Sequence, residues 1–252
     1  MRAPGAHGQP ARRVPEVTAY FWILKVLTTG MGETTSDYLV RVIDPVVAVG
    51  LAAIVLIISL AVQFASPRYS AWPYWFVVAM VSIVGTMAAD ALHVVVGIPY
   101  VVSTAFYAVV LAVVFVAWYA REKTLSIHGI FTRRREAFYW AVVFATFALG
   151  TAAGDLTATT LGWGYLASGL LFAAVIAIPA IGYWKFHWNE VFAFWFAYIV
   201  TRPLGASFAD WMGKPRNWSG LSLGDGPVSL GWAAAIVVFV TYLAYSQRDA
   251  RE

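Results

Sequence analysis

Cysteine is absent from the 252 residues, so neither a disulfide framework nor a thiolate metal site can form. Histidine is scarce, with four copies, which argues against a zinc or copper centre. Charge is the third shortage. Asp, Glu, Lys and Arg make up 12% of the chain against 61% hydrophobic residues, and the mean hydropathy is +0.71. A soluble domain of this length needs far more charged surface, so the chain reads as an integral membrane protein whose first partner is the lipid bilayer. Enzyme signatures are missing too. There is no Gly-rich phosphate loop followed by Lys, no His-rich metal motif and no nucleophile elbow. The longest polar stretches, around 121–135 and 213–226, are too short for a catalytic domain. The expectation is a non-enzyme. The formal charge of +4 sits in short loops and does not point to nucleic acid.

What the chain does have is long apolar runs. Eight segments approach the roughly 20 residues that a helix needs to cross a bilayer: 17–40, 45–64, 73–97, 99–119, 136–161, 164–184, 189–212 and 227–246. The fold class expected is an all-α polytopic bundle forming one membrane domain, with residues 1–15 as a disordered polar tail. Pro45, Pro99 and Pro227 suit first positions of helices, where a missing N–H costs nothing. Twelve Lys and Arg residues fall in the tail and in loops after even-numbered helices, including Arg121, Lys123 and Arg133 to Arg135. Only Arg41, Lys214 and Arg216 fall on the other side. This bias places both termini in the cytoplasm.

The chain also repeats itself. The stretches from Trp22 to Asp37, Trp75 to Asp90, Trp140 to Asp155 and Trp195 to Asp210 each read Trp, nine residues, Gly, four residues, Asp. An aromatic residue precedes each Trp: Phe21, Tyr74, Tyr139 and Phe194. Four of the seven aspartates occupy this register, one per odd-numbered helix. Each copy holds two spans, at about 16–66, 70–121, 135–185 and 188–247, so successive copies enter the membrane in the same direction, unlike inverted transporter repeats. Fifteen residues at 1.5 Å rise place every Asp roughly 22 Å beyond its Trp. Four parallel hairpins around a pseudo-fourfold axis would bring the carboxylates into one ring. This organisation resembles a family of bacterial membrane proteins built from four tandem copies of a two-helix repeat of unknown function, each with a characteristic tryptophan. Trp22, Trp75, Trp140 and Trp195 match it. The resemblance implies the architecture and a bacterial cytoplasmic (inner) membrane, and brings no activity with it.

Positions four and eight before each Asp share its helix face. They are Glu33, Thr86, Thr151 and Ala206, then Thr29, Ser82, Phe147 and Arg202. Intramembrane acids are expensive and usually face a wet cavity or a bundle interior. Crowded in low dielectric, Glu33, Asp37, Asp90, Asp155 and Asp210 cannot all ionise, and must take up protons or a cation. Oxygen donors suit a hard divalent ion such as Mn²⁺. The leading expectation is therefore a cation transporter or channel, proton-coupled, with the four aspartates and Glu33 binding the cation and the four aspartates as metal ligands. Glu33, Lys25 and Arg202 would couple protons or balance charge. The alternatives are a membrane sensor of a small molecule or lipid, and a structural module in which the acids serve only assembly. In detail, Lys25 is expected to snorkel or pair with Glu33, Arg202 to pair with Asp210 or Asp155, and Pro203 to kink its helix. His93 can join the acids. The repeated glycines read as packing positions, the four tryptophans as interfacial anchors, and Asp225 as a turn residue.

Overall fold

The computed structural model describes residues 12–250, and most of the expected tail lies outside them. Among the described residues there are eight α-helices and no strand. They are α1 (Ala19–Val42), α2 (Pro45–Ala65), α3 (Ala71–Asp90), α4 (Tyr100–Glu122), α5 (Arg133–Asp155), α6 (Tyr165–Phe186), α7 (Glu190–Gly213) and α8 (Asp225–Ser246). Seven are long and apolar enough to cross a membrane. The exception is α1, which carries Lys25, Glu33, Asp37 and Arg41.

Local chemistry sets the helix starts. The Asp44 carboxylate accepts from the N–H groups of Val46 and Val47 at the head of α2, with Pro45 in the first turn. Thr18, Thr132 and Asn189 do the same for α1, α5 and α7, satisfying donors that have no partner within the helix. The other two prolines are not at first positions. Pro99 precedes α4 as its cap residue, and Pro227 is the third residue of α8, which begins at Asp225. α7 continues past Pro203 as one helix. Beyond Asp90 and Asp155 the helices widen into π turns, Ala91–Val95 and Leu156–Thr160.

Burial separates two layers. The most apolar windows of α3, α5 and α7 are 72, 67 and 61% buried, whereas those of α2, α4, α6 and α8 are 22 to 28% buried. The odd helices thus form the core and the even ones its wrapping. α1 touches α3, α3 touches α5, α5 touches α7, and α7 returns to α1. The hairpins are not self-contained as the repeat suggested. Each even helix lies mainly on the odd helix of the next copy: α2 on α3, α4 on α5, α6 on α7 and α8 on α1.

Two side-chain cycles explain this interlock. A Cβ at Gly32 would overlap Ser82, one at Gly85 would meet Phe147, one at Gly150 would overlap Arg202, and one at Gly205 would overlap Thr29. The glycine of each copy therefore receives the equivalent side chain of the next, and the fourth receives the first, as small residues do where transmembrane helices approach closely. Nearer the other end, Phe21 packs on Trp75, Tyr74 on Trp140, Tyr139 on Trp195 and Phe194 on Trp22, with centroids 5.4 to 6.2 Å apart. This corrects the reading as interfacial anchors for three of the four tryptophans, Trp22 being partly exposed. Trp75, Trp140 and Trp195 are buried, because the neighbouring copy supplies the aromatic ring they rest on.

Of the expected tail, residues 12–15 are described, and Arg12 and Arg13 are bonded to the helices and loops. Arg13 forms a buried ion pair with Glu136 at 2.7 Å. Its carbonyl accepts from the Gln63 amide, and the Arg12 carbonyl accepts from the Tyr69 N–H at 2.8 Å.

A layered axis and a candidate cation site

The face carrying each repeated Asp points into the centre of the odd-helix cycle, and its positions stack as layers every four residues. Lowest is the aromatic layer of Phe21, Tyr74, Tyr139 and Phe194, in which the Tyr74 and Tyr139 hydroxyls are hydrogen-bonded to each other. Next come Lys25, Val78, Val143 and Tyr198, and then Thr29, Ser82, Phe147 and Arg202, all buried. The fourth layer is Glu33, Thr86, Thr151 and Ala206, again buried. The last is the aspartate layer, where Asp210 is buried while Asp37, Asp90 and Asp155 are partly exposed. The axis is thus packed at the tryptophan end and accessible at the aspartate end.

Arg202 is fully buried, and its guanidinium reaches forward one layer. Nη2 donates to Glu33 Oε2 at 2.5 Å and to the hydroxyls of Thr86 and Thr151. Gly150 opposite leaves room for the side chain. The expected partners Asp210 and Asp155 are not the ones used: the side chain meets the Glu33 carboxylate of α1, one layer before the aspartates. Lys25 also departs from expectation. Its Nζ sits 3.9 and 4.0 Å from the ring centroids of Phe147 and Tyr198 and has no hydrogen-bond partner. The layer that holds Arg202 separates it from Glu33, so cation–π attraction replaces the expected ion pair.

At the aspartate layer, Lys214 donates to Asp37 Oδ2, and its Nζ lies 3.7 Å from Asp210 Oδ1. Burial opposes the charge on Lys214, but Asp210 and Asp37 outweigh it and hold its pKa above the ordinary lysine value. Glu33, Asp37 and Asp210 each offer an oxygen within 4.8 Å of the other two, a spacing that fits shared ligation of one hard cation at 2.0 to 2.6 Å per bond. Asp90 and Asp155 face the same group, each within electrostatic reach of Glu33 and Asp37 and of each other. Their carboxylates form no hydrogen bond or ion pair among the described residues. Three of the five predicted acids, Glu33, Asp37 and Asp210, are therefore brought together, with Asp90 and Asp155 within electrostatic reach of them.

Three residues at the site escape a reading of the repeat alone. Lys214 lies one residue past α7, and Tyr100 and Tyr165, at the starts of α4 and α6, face the aspartates from the rim. The even helices' first residues carry no repeated signal, and only the tight turns before them hinted that they return to the aspartate end. His93 does not join the acids. Its Nδ1 is 2.9 Å from the Ile98 carbonyl and its ring stacks on Tyr100. Asp225 is more than a turn residue: it is buried and pairs with Arg41 at 2.7 Å. Two cavities lie elsewhere. One of about 700 Å³ is bordered by Trp22, Trp184 and Phe194 near the tryptophan end, and one of about 420 Å³ is an apolar groove between α2 and α4.

Comparison with known proteins follows the same fourfold division. Residues 20–69, 73–124, 138–187 and 193–249 each match the repeat described as Repeat of Unknown Function (DUF347). The chain belongs to the DUF347 repeat family. Each family repeat spans one core helix and the wrapping helix after it, so the layered axis is made of one contribution from every repeat. No curated protein and no solved structure matches the chain.

Proposed function

We propose that this DUF347 protein is a cation carrier of the bacterial inner membrane, moving a hard divalent cation such as Mn²⁺ in exchange for protons. The observation that carries this reading is an acidic cup: the cluster of Glu33, Asp37 and Asp210, with the partly exposed Asp90 and Asp155 within electrostatic reach of it. Charge accounting supports it. Arg202 offsets Glu33 and Lys214 is shared by Asp37 and Asp210, which leaves Asp90 and Asp155 without a direct ion pair among the described residues. Acids so crowded hold protons or a cation, and a metal arriving at protonated carboxylates releases those protons. The packed aromatic, Lys25 and Arg202 layers favour a carrier over an open channel, because cargo cannot pass them without rearrangement. With both termini cytoplasmic, as the cation bias favours, the cup faces outward.

The test is ion flux in proteoliposomes, screened over Mn²⁺, Mg²⁺, Ca²⁺, K⁺ and protons. The expected result is Mn²⁺ movement with opposite proton movement, lowered at least tenfold in Asp90→Asn and Asp155→Asn while both variants remain monodisperse. No movement of any ion under any gradient contradicts the reading. Loss of folded protein in both variants supports the structural-module alternative, and saturable small-molecule binding without flux supports the sensor.

A further inference from the structure

Lys214 stands apart from the repeat. The residue four beyond the repeated Asp is Arg41, Val94, Thr159 and Lys214 in successive copies. Arg41 turns away to Asp225, Val94 is apolar and Thr159 donates to the Asp155 carbonyl. Only the fourth copy sends a cation into the cup.

The backbone of Lys214 is tightly held. Its N–H donates to the Asp210 carbonyl at 2.8 Å, and its carbonyl accepts from the Ser222 N–H at 2.9 Å. The returning chain pairs with the end of α7 through Leu221 N–H to the Trp211 carbonyl and Leu223 N–H to the Met212 carbonyl. Gly220 lies so close to the Lys214 carbonyl that a Cβ there would overlap it. The anchor is fixed while the four-carbon arm keeps its rotatable bonds.

The end of that arm sits where a cation would bind. Nζ touches Asp37 and approaches Asp210, two of the three acids whose oxygens lie within 4.8 Å of one another. The second of these contacts is loose: Asp210 Oδ1 is buried and receives no hydrogen bond, with the ammonium at 3.7 Å. The charged and titratable groups around Nζ are Glu33 and Asp37 of α1, Asp90 of α3, Asp155 of α5, Tyr165 of α6, Asp210 of α7 and Asp225 of α8, the last paired with Arg41. A metal and an ammonium cannot share the same oxygens without direct repulsion between like charges.

Building on the carrier reading, we infer that Lys214 is a tethered counter-ion that holds the Asp37–Asp210 position in the unloaded protein and is displaced when the cargo cation binds. It lowers cargo affinity and disfavours monovalent ions, whose single charge gains less from replacing an ammonium already in place. It also keeps the emptied cup partly neutralised, which an exchange carrier needs in order to return unloaded.

Two measurements on the full chain in detergent test this, with Mn²⁺ as the probe. The first is equilibrium Mn²⁺ binding to wild type, Lys214→Gln and Asp37→Asn. Lys214→Gln is expected to bind at least tenfold more tightly than wild type, and Asp37→Asn more weakly. The second needs no variant: acylation of Lys214, followed by mass spectrometry, is expected to rise several-fold when Mn²⁺ saturates the wild-type protein. Equal or weaker binding by folded Lys214→Gln, or labelling indifferent to Mn²⁺, overturns the tether while wild-type binding keeps the carrier reading standing. Binding by Lys214→Gln alone supports the tether in its strongest form, as self-inhibition. Absence of Mn²⁺ binding in wild type and Lys214→Gln overturns both. Should Lys214→Gln fail to fold, the labelling result decides.

Discussion

At the scale of single residues, the Arg202–Glu33 pair is the most constrained feature of the axis. Both groups are buried, so each has given up hydration that the other, the two threonine hydroxyls and, for Arg202, the Thr29 carbonyl replace. Removing one partner leaves an uncompensated charge and costs about 3–5 kcal/mol, whereas replacing both with apolar side chains of similar size can be nearly neutral. Arg202→Met and Glu33→Met are each expected to lower thermal stability in detergent strongly, and the double variant is expected to be more stable than either. A double variant as unstable as the sum of the singles would show that the pair contributes packing and not charge compensation. The sequence placed Arg202 and Glu33 on the axis through their offsets of eight and four from the repeated Asp. It did not identify them as partners, because an offset specifies a face of one helix and says nothing about how far a long side chain reaches along the next. The same limit hid Lys25. A lysine above a glutamate on one helix reads as an ion pair, yet the intervening layer belongs to Arg202 and Phe147.

At the scale of elements, the repeated glycine and tryptophan decide how the copies join. Gly32 and Gly205 receive Ser82 and Thr29 at overlapping distance from any added Cβ, so an extra methyl must push two core helices apart. Gly32→Ala and Gly205→Ala are expected to destabilise the fold by about 1–3 kcal/mol each. Gly50 and Gly231, in the wrapping helices, have open space around them, and alanine there is expected to be neutral or to stabilise by up to about 1 kcal/mol through helix propensity. Thermal denaturation of the four single variants separates the two classes, and equal effects at all four sites would contradict the interlock. The helices themselves were legible. Long apolar runs gave eight of them, with ends displaced by a few residues where Pro227 and Pro99 took positions other than the first. The glycines were legible as packing sites, while their partners were not. A pattern within one copy cannot say that the wrapping helix lies on the following copy, nor that the tryptophan is stacked under a neighbour's ring. The π turns after Asp90 and Asp155 carried no sequence signal, since the register of the repeat runs unbroken up to each Asp.

At the scale of the whole molecule, four parallel copies closing into a cycle carry equivalent residues to the same level, and this was the most readable property of the chain. Fifteen residues from Trp to Asp in each copy are enough to put four carboxylates in one layer once the helices are parallel and adjacent. What breaks the symmetry gives the layer its chemistry: Glu33 in the first copy, Arg202 and Lys214 in the fourth, and unpaired Asp90 and Asp155 in the second and third. An assembly that used its acids only to join copies would satisfy each of them with a neighbour, whereas two remain unpaired and exposed to the cup. The most direct measurement of the central claim is to locate bound Mn²⁺ by its anomalous scattering in crystals of the full chain. The account predicts one dominant peak among the carboxylates of Glu33, Asp37 and Asp210, with Asp90 and Asp155 facing it. A peak elsewhere, or none at Mn²⁺ concentrations that saturate binding in solution, would contradict it.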